Sequence, residues 1–399
     1  MIITSCICVI SSLLWDYVVR TKHRWLLLLL SLLLSVLSAA GLYHYENLFP
    51  AWIASGWEGL YDGKAMAGLI WLLACILAFP CLIVMAIARF FCRPRRRRQK
   101  RKSSGMSRRT FLKGLAALVP VAALATSGAG NFLGERDLDT TYHVLKYKDL
   151  PDYLNGYKIG QLSDLHMGLF FSPQRLQEAL DAVAARGVNR LEITGDLIDE
   201  LSLLPKAREI IEANAHRFPD GIDFCYGNHE YYRNFAAITD MLEATPVRVL
   251  RNAAFQASRG CGQGLKGCNG RDGRAFYIAA ADYSFAKGDE AFAAEREQYV
   301  RQALAGVPED AFVVMLAHHS AFIDEGFAHH IPLTLCGHTH GAQFAPIGPL
   351  VTMLGFKYLR GMFQKGDCRG YVNRGTGHWL PFRVLCSREA SVFELRKQA

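Results

Sequence analysis

A chain of 399 residues with 51% hydrophobic content and a formal net charge of +9 has room for more than one domain and is more apolar than a typical soluble protein. The charge is unevenly placed: the first 130 residues hold 16 Lys and Arg against 4 Asp and Glu, the remainder 29 against 32. The larger, slightly acidic part therefore offers no electrostatic footprint for a polynucleotide, and no nucleic-acid partner is expected.

Residues 1 to 19, 25 to 43 and 66 to 91 are long apolar runs, each near the roughly 20 residues that cross a bilayer as a helix. They predict three transmembrane helices within residues 1 to 92, the first weakened by Asp16; buried helices of a soluble domain are the alternative reading. Directly after the third run comes Arg93 to Lys102, "RPRRRRQKRK", which positive-inside retention explains, with a nucleic-acid patch as the alternative. The link Arg20 to Arg24 is basic as well, whereas residues 44 to 64 carry Glu46, Glu58 and Asp62 against Lys64. An external N-terminus with both basic links in the cytoplasm follows.

Residues 93 to 130 read as a basic cytoplasmic linker leading into a fourth span. Within it, Arg108-Arg109 followed by Thr-Phe-Leu-Lys and an apolar stretch resembles a twin-arginine export signal, placed internally instead of at the N-terminus. Such a span would carry residues 131 to 399 outward, with twin-arginine or other export machinery as a partner. The alternative, a buried or amphipathic helix, leaves the large domain in the cytoplasm. The small residues "ATSGA" also suit a cleavage site. Further on, Cys261 and Cys268 in "CGQGLKGC" are close enough to close a small loop in an oxidising compartment, whereas no second pair accompanies them to complete a metal site.

From about residue 155 the pattern alternates between strands and helices, which predicts an α/β domain. "YKIGQLSD" reads as a strand, and "SPQRLQEALDAVAARG" as a helix with Ser172 at its N-cap, Pro173 in its first turn and Gly187 just past its end. "RLEITGD" is the next strand, residues 203 to 216 a helix, "IDFCYGNHE" a strand running into a loop, and residues 234 to 244 a helix. Later strands are expected at 275 to 281, 312 to 317, 333 to 336, 371 to 375 and 390 to 395.

Polar residues gather where these strands end. Asp164 and His166 close the first, Asp196 the second, Asn228 and His229 the third, and His318, His338 and His340 two later ones. Two histidines two residues apart at a strand exit suit metal ligation, although two loop histidines with ordinary hydrogen bonds look the same in isolation. Ligand-type residues at one end of many strands converge on a single crevice.

The order D-x-H, GDxxD, GNHE, a lone His and GHTH closely resembles the calcineurin-like metallophosphoesterase superfamily. The resemblance spans about residues 140 to 396, including a "GxGxxxPFR" ending from Gly375 to Arg383. Within that superfamily the chain looks most like membrane-anchored or twin-arginine-exported bacterial phosphodiesterases, which implies a multi-pass inner-membrane protein with an extracytoplasmic catalytic domain. The fold implied is a four-layer αββα sandwich over residues 131 to 399, preceded by three to four transmembrane helices. One divalent ion would then sit on Asp164, His166, Asp196 and His340, and a second on Asp196, Asn228, His318 and His338, with Asp196 shared. His229 would donate to the leaving oxygen or to the phosphoryl oxygens. His318 matches the ligand position of "HHS", and His319 is left structural or substrate-facing.

Physical chemistry asks for these residue types independently. Two divalent ions roughly 3.5 to 4 Å apart can hold a hydroxide, lower its pKa towards about 7 and neutralise phosphoryl oxygens for in-line attack. Nitrogen and oxygen ligands without thiolates favour Mn, Fe or Zn over Ca. Asp199 either steers a ligand or lies on the surface, Glu230 and Tyr231 either approach substrate or face solvent, and Arg383 meets either phosphate or an acid of the fold. The apolar stretch 344 to 363 either lines a lipid-accommodating groove or packs in the core. A membrane tether favours a phosphoester substrate that is lipid- or nucleotide-linked. The alternative function is a non-enzymatic membrane sensor or scaffold.

Overall fold

The computed structural model describes residues 2–19, 25–26, 28–36, 58–91, 108–132, 137–168, 170–257, 274–378 and 382–398. The chain divides into two compact units, Met1–Leu133 and Gly134–Ala399.

The first unit is helical. Its helices are Ile2–Val19, Glu58–Phe91 and Arg108–Phe132, together with helical residues 28–36. Small side chains let them approach: Ala74, Ala78, Leu82 and Ala123 form a buried cluster with Leu14 and Val119 against it. Ser127 donates to the carbonyl of Ile70, which satisfies a hydroxyl in apolar surroundings. Among the described residues one stretch, Ile70–Ala88, is long and apolar enough to cross a bilayer, while Ile7–Tyr17 and Leu118–Gly130 are shorter apolar helices. A bundle of three to four spans is therefore not supported. The first and fourth predicted spans are helical but too short in their apolar part, and the second, 25 to 43, lies partly outside the described residues. The run from Arg93 to Lys102 and the Cys261–Cys268 loop lie outside them entirely.

The second unit is built on two six-stranded sheets. One has the order β1-β12-β2-β3-β4-β5 and the other β10-β11-β9-β8-β7-β6. In the first, β1 is Leu138–Tyr147, β2 Lys158–Leu162, β3 Arg190–Thr194, β4 Ile222–Cys225, β5 Val247–Leu250 and β12 Arg388–Lys397. In the second, β6 is Ala253–Ala257, β7 Phe276–Ala280, β8 Phe312–Leu316, β9 Leu333–Cys336, β10 Gly361–Lys365 and β11 Cys368–Val372. Strands β2 to β5 run parallel to one another, as do β7, β8, β9 and β11. Their C-terminal ends can thus supply loops to one edge.

The central strands of both sheets are buried on both faces, which is why they read as nearly continuous apolar runs. Ile159, Phe276, Ile278, Phe312, Val314, Leu316, Leu333 and Phe393 pack in the cluster between the sheets. The outer face of the first sheet is covered by helices Pro173–Ala184, Leu204–Asn214 and Phe235–Glu243 through Leu176, Leu180, Ile211 and Leu242. Helices Asp289–Ala303 and Ile323–Ala328 cover the second through Val300 and Ile323. "GNHE" does not run into a loop: Asn228–Tyr232 is a short helix. The strand expected at 371 to 375 sits earlier, at Cys368–Val372; beyond it Asn373 Oδ1 accepts from the Gly375 N–H (2.7 Å), a local turn that Gly375 closes at φ 85°.

Leu316 has no exposure and lies between the sheets. Leu316→Ala is expected to destabilise the unit by about 2–5 kcal/mol, read as a lower urea midpoint at unchanged slope. A midpoint equal to that of the unmodified chain would contradict a packed core at this position.

Candidate metal centre

All seven ligand-type residues follow strand ends of the two sheets. Asp164 and His166 follow β2, Asp196 follows β3, Asn228 follows β4, His318 follows β8, and His338 and His340 follow β9. Five of them leave the sheet in left-handed backbone: φ is 52° at Asp164, 50° at His166, 54° at Asp196, 72° at His338 and 49° at His340. That region is uncommon for side chains with a Cβ and persists only when the surroundings over-determine it.

The surroundings do so through backbone bonds. Asp164 N–H donates to the carbonyl of Gly195 (3.0 Å) and His166 N–H to that of Asp196 (2.9 Å), so the exits of β2 and β3 stay paired beyond the strands. The His338 N–H donates to both carboxylate oxygens of Asp164, at 2.9 and 3.0 Å, which joins the two sheets at the site. Glycine makes the approach possible. A Cβ on Gly337 would stand 1.9 Å from Ser163 Oγ and 2.3 Å from Asp164 Oδ2, and one on Gly195, at φ 83°, would stand 2.6 Å from Gly227 N and 2.7 Å from His318 Nδ1.

The side chains meet in two groups. In the first, His166 Nε2 lies 3.1 Å from His340 Nε2, which is 3.4 Å from Asp164 Oδ1. In the second, His318 Nε2 lies 3.1 Å from Asp196 Oδ2 and 3.2 Å from His338 Nδ1. Within each group the three ligand atoms lie inside 4.8 Å of one another. His166 Nε2 at 3.6 Å from Asp196 Oδ2, and His318 Nε2 at 3.8 Å from Asp164 Oδ1, connect the groups.

Imidazole nitrogens facing each other at this distance, deeply buried, fit a shared cation better than hydrogen bonding alone. Asn228 Oδ1 and His340 Nδ1 are buried with no hydrogen-bond partner, and an amide oxygen left so is costly unless something electropositive completes it. Nitrogen and oxygen donors without thiolate are compatible with a divalent transition ion. Burial, then neighbouring positive charge, pushes His338 and His340 well below the usual histidine range, so both are neutral imidazoles, the form a metal takes. Burial also works against charge on His318, but Asp196 and Asp164 outweigh it and raise this group to about 10. Burial alone would raise Asp196; His318 and His166 reverse that and hold it well below the carboxylate range.

Several residues around the groups are now assigned contacts. Asp199, for which surface exposure was the alternative, is largely buried and accepts from His229 Nδ1 (2.5 Å), with His166 Nδ1 at 3.3 Å and Arg233 Nε at 3.4 Å. Glu230 neither meets substrate nor faces solvent. It has no exposure and accepts from the backbone N–H groups of Asp196 (3.0 Å), Leu197 (2.7 Å) and Gly227 (2.8 Å), clamping the exits of β3 and β4 together. Tyr231 donates to Asp282 at 2.6 Å. Arg383 is buried and donates to the carbonyls of Arg374, Gly377 and Cys386, so it pins the closing loop, and it pairs with no acid among the described residues. His319 Nδ1 accepts from Ala321 N–H, and its ring lies 4.7 Å from that of His338. Cys336 is buried in the cluster on the outer face of the second sheet.

His318 carries a proton through neutral pH in the ion-free site, and an incoming cation must displace it. Affinity for Mn²⁺ is therefore expected to rise about tenfold per pH unit below about 9, with one proton released per chain from this group. Calorimetry in buffers of different ionisation enthalpy measures both; an affinity independent of pH would remove the protonated His318 from the account.

No family model matches the chain. It is 29% identical over 303 residues to an uncharacterized metallophosphoesterase of Bacillus subtilis (strain 168), covering 73% of this chain and 98% of the relative. It is 26% identical over 351 residues to a transmembrane protein with metallophosphoesterase domain of Danio rerio, covering 81% and 74%. Among solved structures, a dimetal phosphatase from Danio rerio overlaps 55% of this chain and 88% of its own at a TM-score of 0.33 and 11% identity. The similarity in sequence to proteins named metallophosphoesterases supports that superfamily for this chain.

Proposed function

We propose that the chain is a metal-dependent phosphoric ester hydrolase that is anchored in a membrane and cleaves phosphodiesters with two divalent ions. The observation that carries this reading is the meeting of two three-residue ligand groups, buried except for a half-buried His338, at one sheet edge, connected through Asp196 and His166. The sequence relatives named metallophosphoesterases agree with it. The first ion would be held by Asp164, His166, Asp196 and His340, the second by Asp196, Asn228, His318 and His338. Mn, Fe and Zn suit these donors.

Bound ions would supply Lewis-acid neutralisation of the phosphoryl oxygens and a water acidified for attack. The chain's own residues do the rest. Asp196, with its charge already favoured by His318, presents an ionised carboxylate between the two groups. His229 lies with its ring 4.4 Å from that of His166, and Asp199 fixes its orientation through Nδ1. That leaves Nε2 for the leaving oxygen; the imidazolium form, with both nitrogens protonated, would give it the Nε2 proton and become the neutral Nδ1–H form held by Asp199, a contribution of about 10²–10⁴-fold. A sensor or scaffold has no need of a complete ligand set together with an oriented His229–Asp199 pair, which is why the hydrolase reading is preferred.

The anchor is the helix containing Ile70–Ala88, in a bacterial inner membrane, and the substrate is lipid- or nucleotide-linked. The catalytic unit would lie outside the cytoplasm, carried there with helix Arg108–Phe132, whose apolar part Leu118–Gly130 falls short of a full span and whose twin-arginine-like start calls for export machinery.

Asp196→Ala is expected to remove most bound metal and nearly all turnover of bis(p-nitrophenyl) phosphate. His229→Ala should keep the metal and lose about 10²–10⁴-fold in kcat. Equal loss of metal in both variants, by elemental analysis, would refute this division of roles. A reporter fused after residue 140 should be active only when it is one that works outside the cytoplasm; activity of a cytoplasmic reporter alone would reverse the topology.

A further inference from the structure

In the unit Gly134–Ala399, eight large hydrophobic side chains among the described residues are exposed: Tyr142, Val144, Tyr232, Phe285, Ile347, Leu350, Met353 and Leu385. The first two lie on the edge strand β1. The other six belong to four segments that border the candidate metal centre. On one side, the Tyr232 ring lies 5.7 Å from that of His229 and 5.9 Å from that of Phe285, and Tyr283 joins Phe285 (4.8 Å) to His338 (5.5 Å). On another, the short helix Gly348–Leu354 carries Leu350 and Met353, 53% and 83% exposed, and is followed by Phe356, whose ring reaches His319 and His338.

Leu385 completes the ring. It is 83% exposed in left-handed backbone at φ 53°, and the next residue, Cys386, donates its thiol to the carbonyl of His340. Holding a leucine outward on strained backbone beside a site is unfavourable twice over, once for strain and once for exposed apolar area. Two cationic side chains accompany the collar. Arg233 follows Tyr232 with 41% of its side chain exposed, and exposed Arg360 runs past Gly341, its Cδ 3.2 Å from where a Cβ there would stand.

We propose that this collar receives the apolar chains of an anionic phospholipid surface, so that the site takes its phosphoester from lipid and not from solution; this rests on the phosphoesterase reading above. Apolar side chains with arginines among them match acyl chains beneath anionic headgroups. The collar is continuous with the ligand groups, so a lipid phosphate reaches them without leaving the surface. The same chain holds a helix, Ile70–Ala88, of bilayer-spanning length, which keeps such a surface at hand.

The test uses the full chain in nanodiscs of phosphatidylethanolamine and phosphatidylglycerol. A nitrobenzoxadiazole probe is attached at Met353→Cys, at Leu385→Cys or, as control, at Glu209→Cys, whose side chain is 66% exposed on helix Leu204–Asn214, and the unmodified chain is the blank for native cysteines. Doxyl-labelled phospholipid should quench the first two probes about twofold or more above the control. Quenching at 353 and 385 no greater than at 209 overturns the proposal. The double variant Leu350→Asp/Met353→Asp should lose about tenfold in its rate on a phosphatidyl diester relative to its own rate on bis(p-nitrophenyl) phosphate; an unchanged ratio also overturns it. If the unmodified chain cleaves neither diester, the phosphoesterase reading fails, and the quenching pattern still decides what the collar meets.

Discussion

Asp164 and Asp196 are two carboxylates with almost no exposure to water, and the remainder of the site is arranged to meet their charge without solvent. Burying one unpaired carboxylate costs several kcal/mol, and two side by side repel as well. His318 and His166 answer the first problem in part, and His318 keeps its proton between the two acids. A cation in each group answers both. Five residues in left-handed backbone, glycines where a Cβ would collide, and a buried Glu230 binding three backbone N–H groups all serve to hold these two acids and their imidazoles at one edge.

The division of labour between the sheets follows. β2, β3 and β4 present Asp164, His166, Asp196 and Asn228, while β8 and β9 present His318, His338 and His340. Each ligand group draws on both sheets, so the centre exists only if the inter-sheet core is intact. The His338 N–H bonds to Asp164 link the sheets directly at this edge, as do the contacts of Gln161 Nε2 with the Cys336 carbonyl and of His318 Nδ1 with that of Thr194. Metal and packing are therefore coupled, since a bound ion would bridge elements that the core must first align.

Of the twelve strands among the described residues, eight are legible in the sequence, and the other four, β1, β5, β6 and β10, are the edges of the two sheets. Central strands buried on both faces leave continuous apolar runs such as "FVVML"; edge strands such as "GMFQK" are half exposed and lose that signature. The candidate ligand residues stand out in the sequence because each follows a strand end in a fixed order. Glu230 is not, because a carboxylate that binds backbone N–H groups leaves no periodic trace, and only the short helix at Asn228–Tyr232 turns it inward. The membrane reading goes further than the described residues do. Composition alone marked three to four spans, whereas among the described residues only Ile70–Ala88 combines helix, length and apolarity.

The central claim is that two cations share Asp196 at this edge. Anomalous diffraction from crystals of the chain equilibrated with Mn²⁺ tests it most directly. The account predicts two peaks, one among Asp164, His166 and His340 and one among Asn228, His318 and His338, both beside Asp196. A single peak, or peaks remote from Asp196, would contradict it.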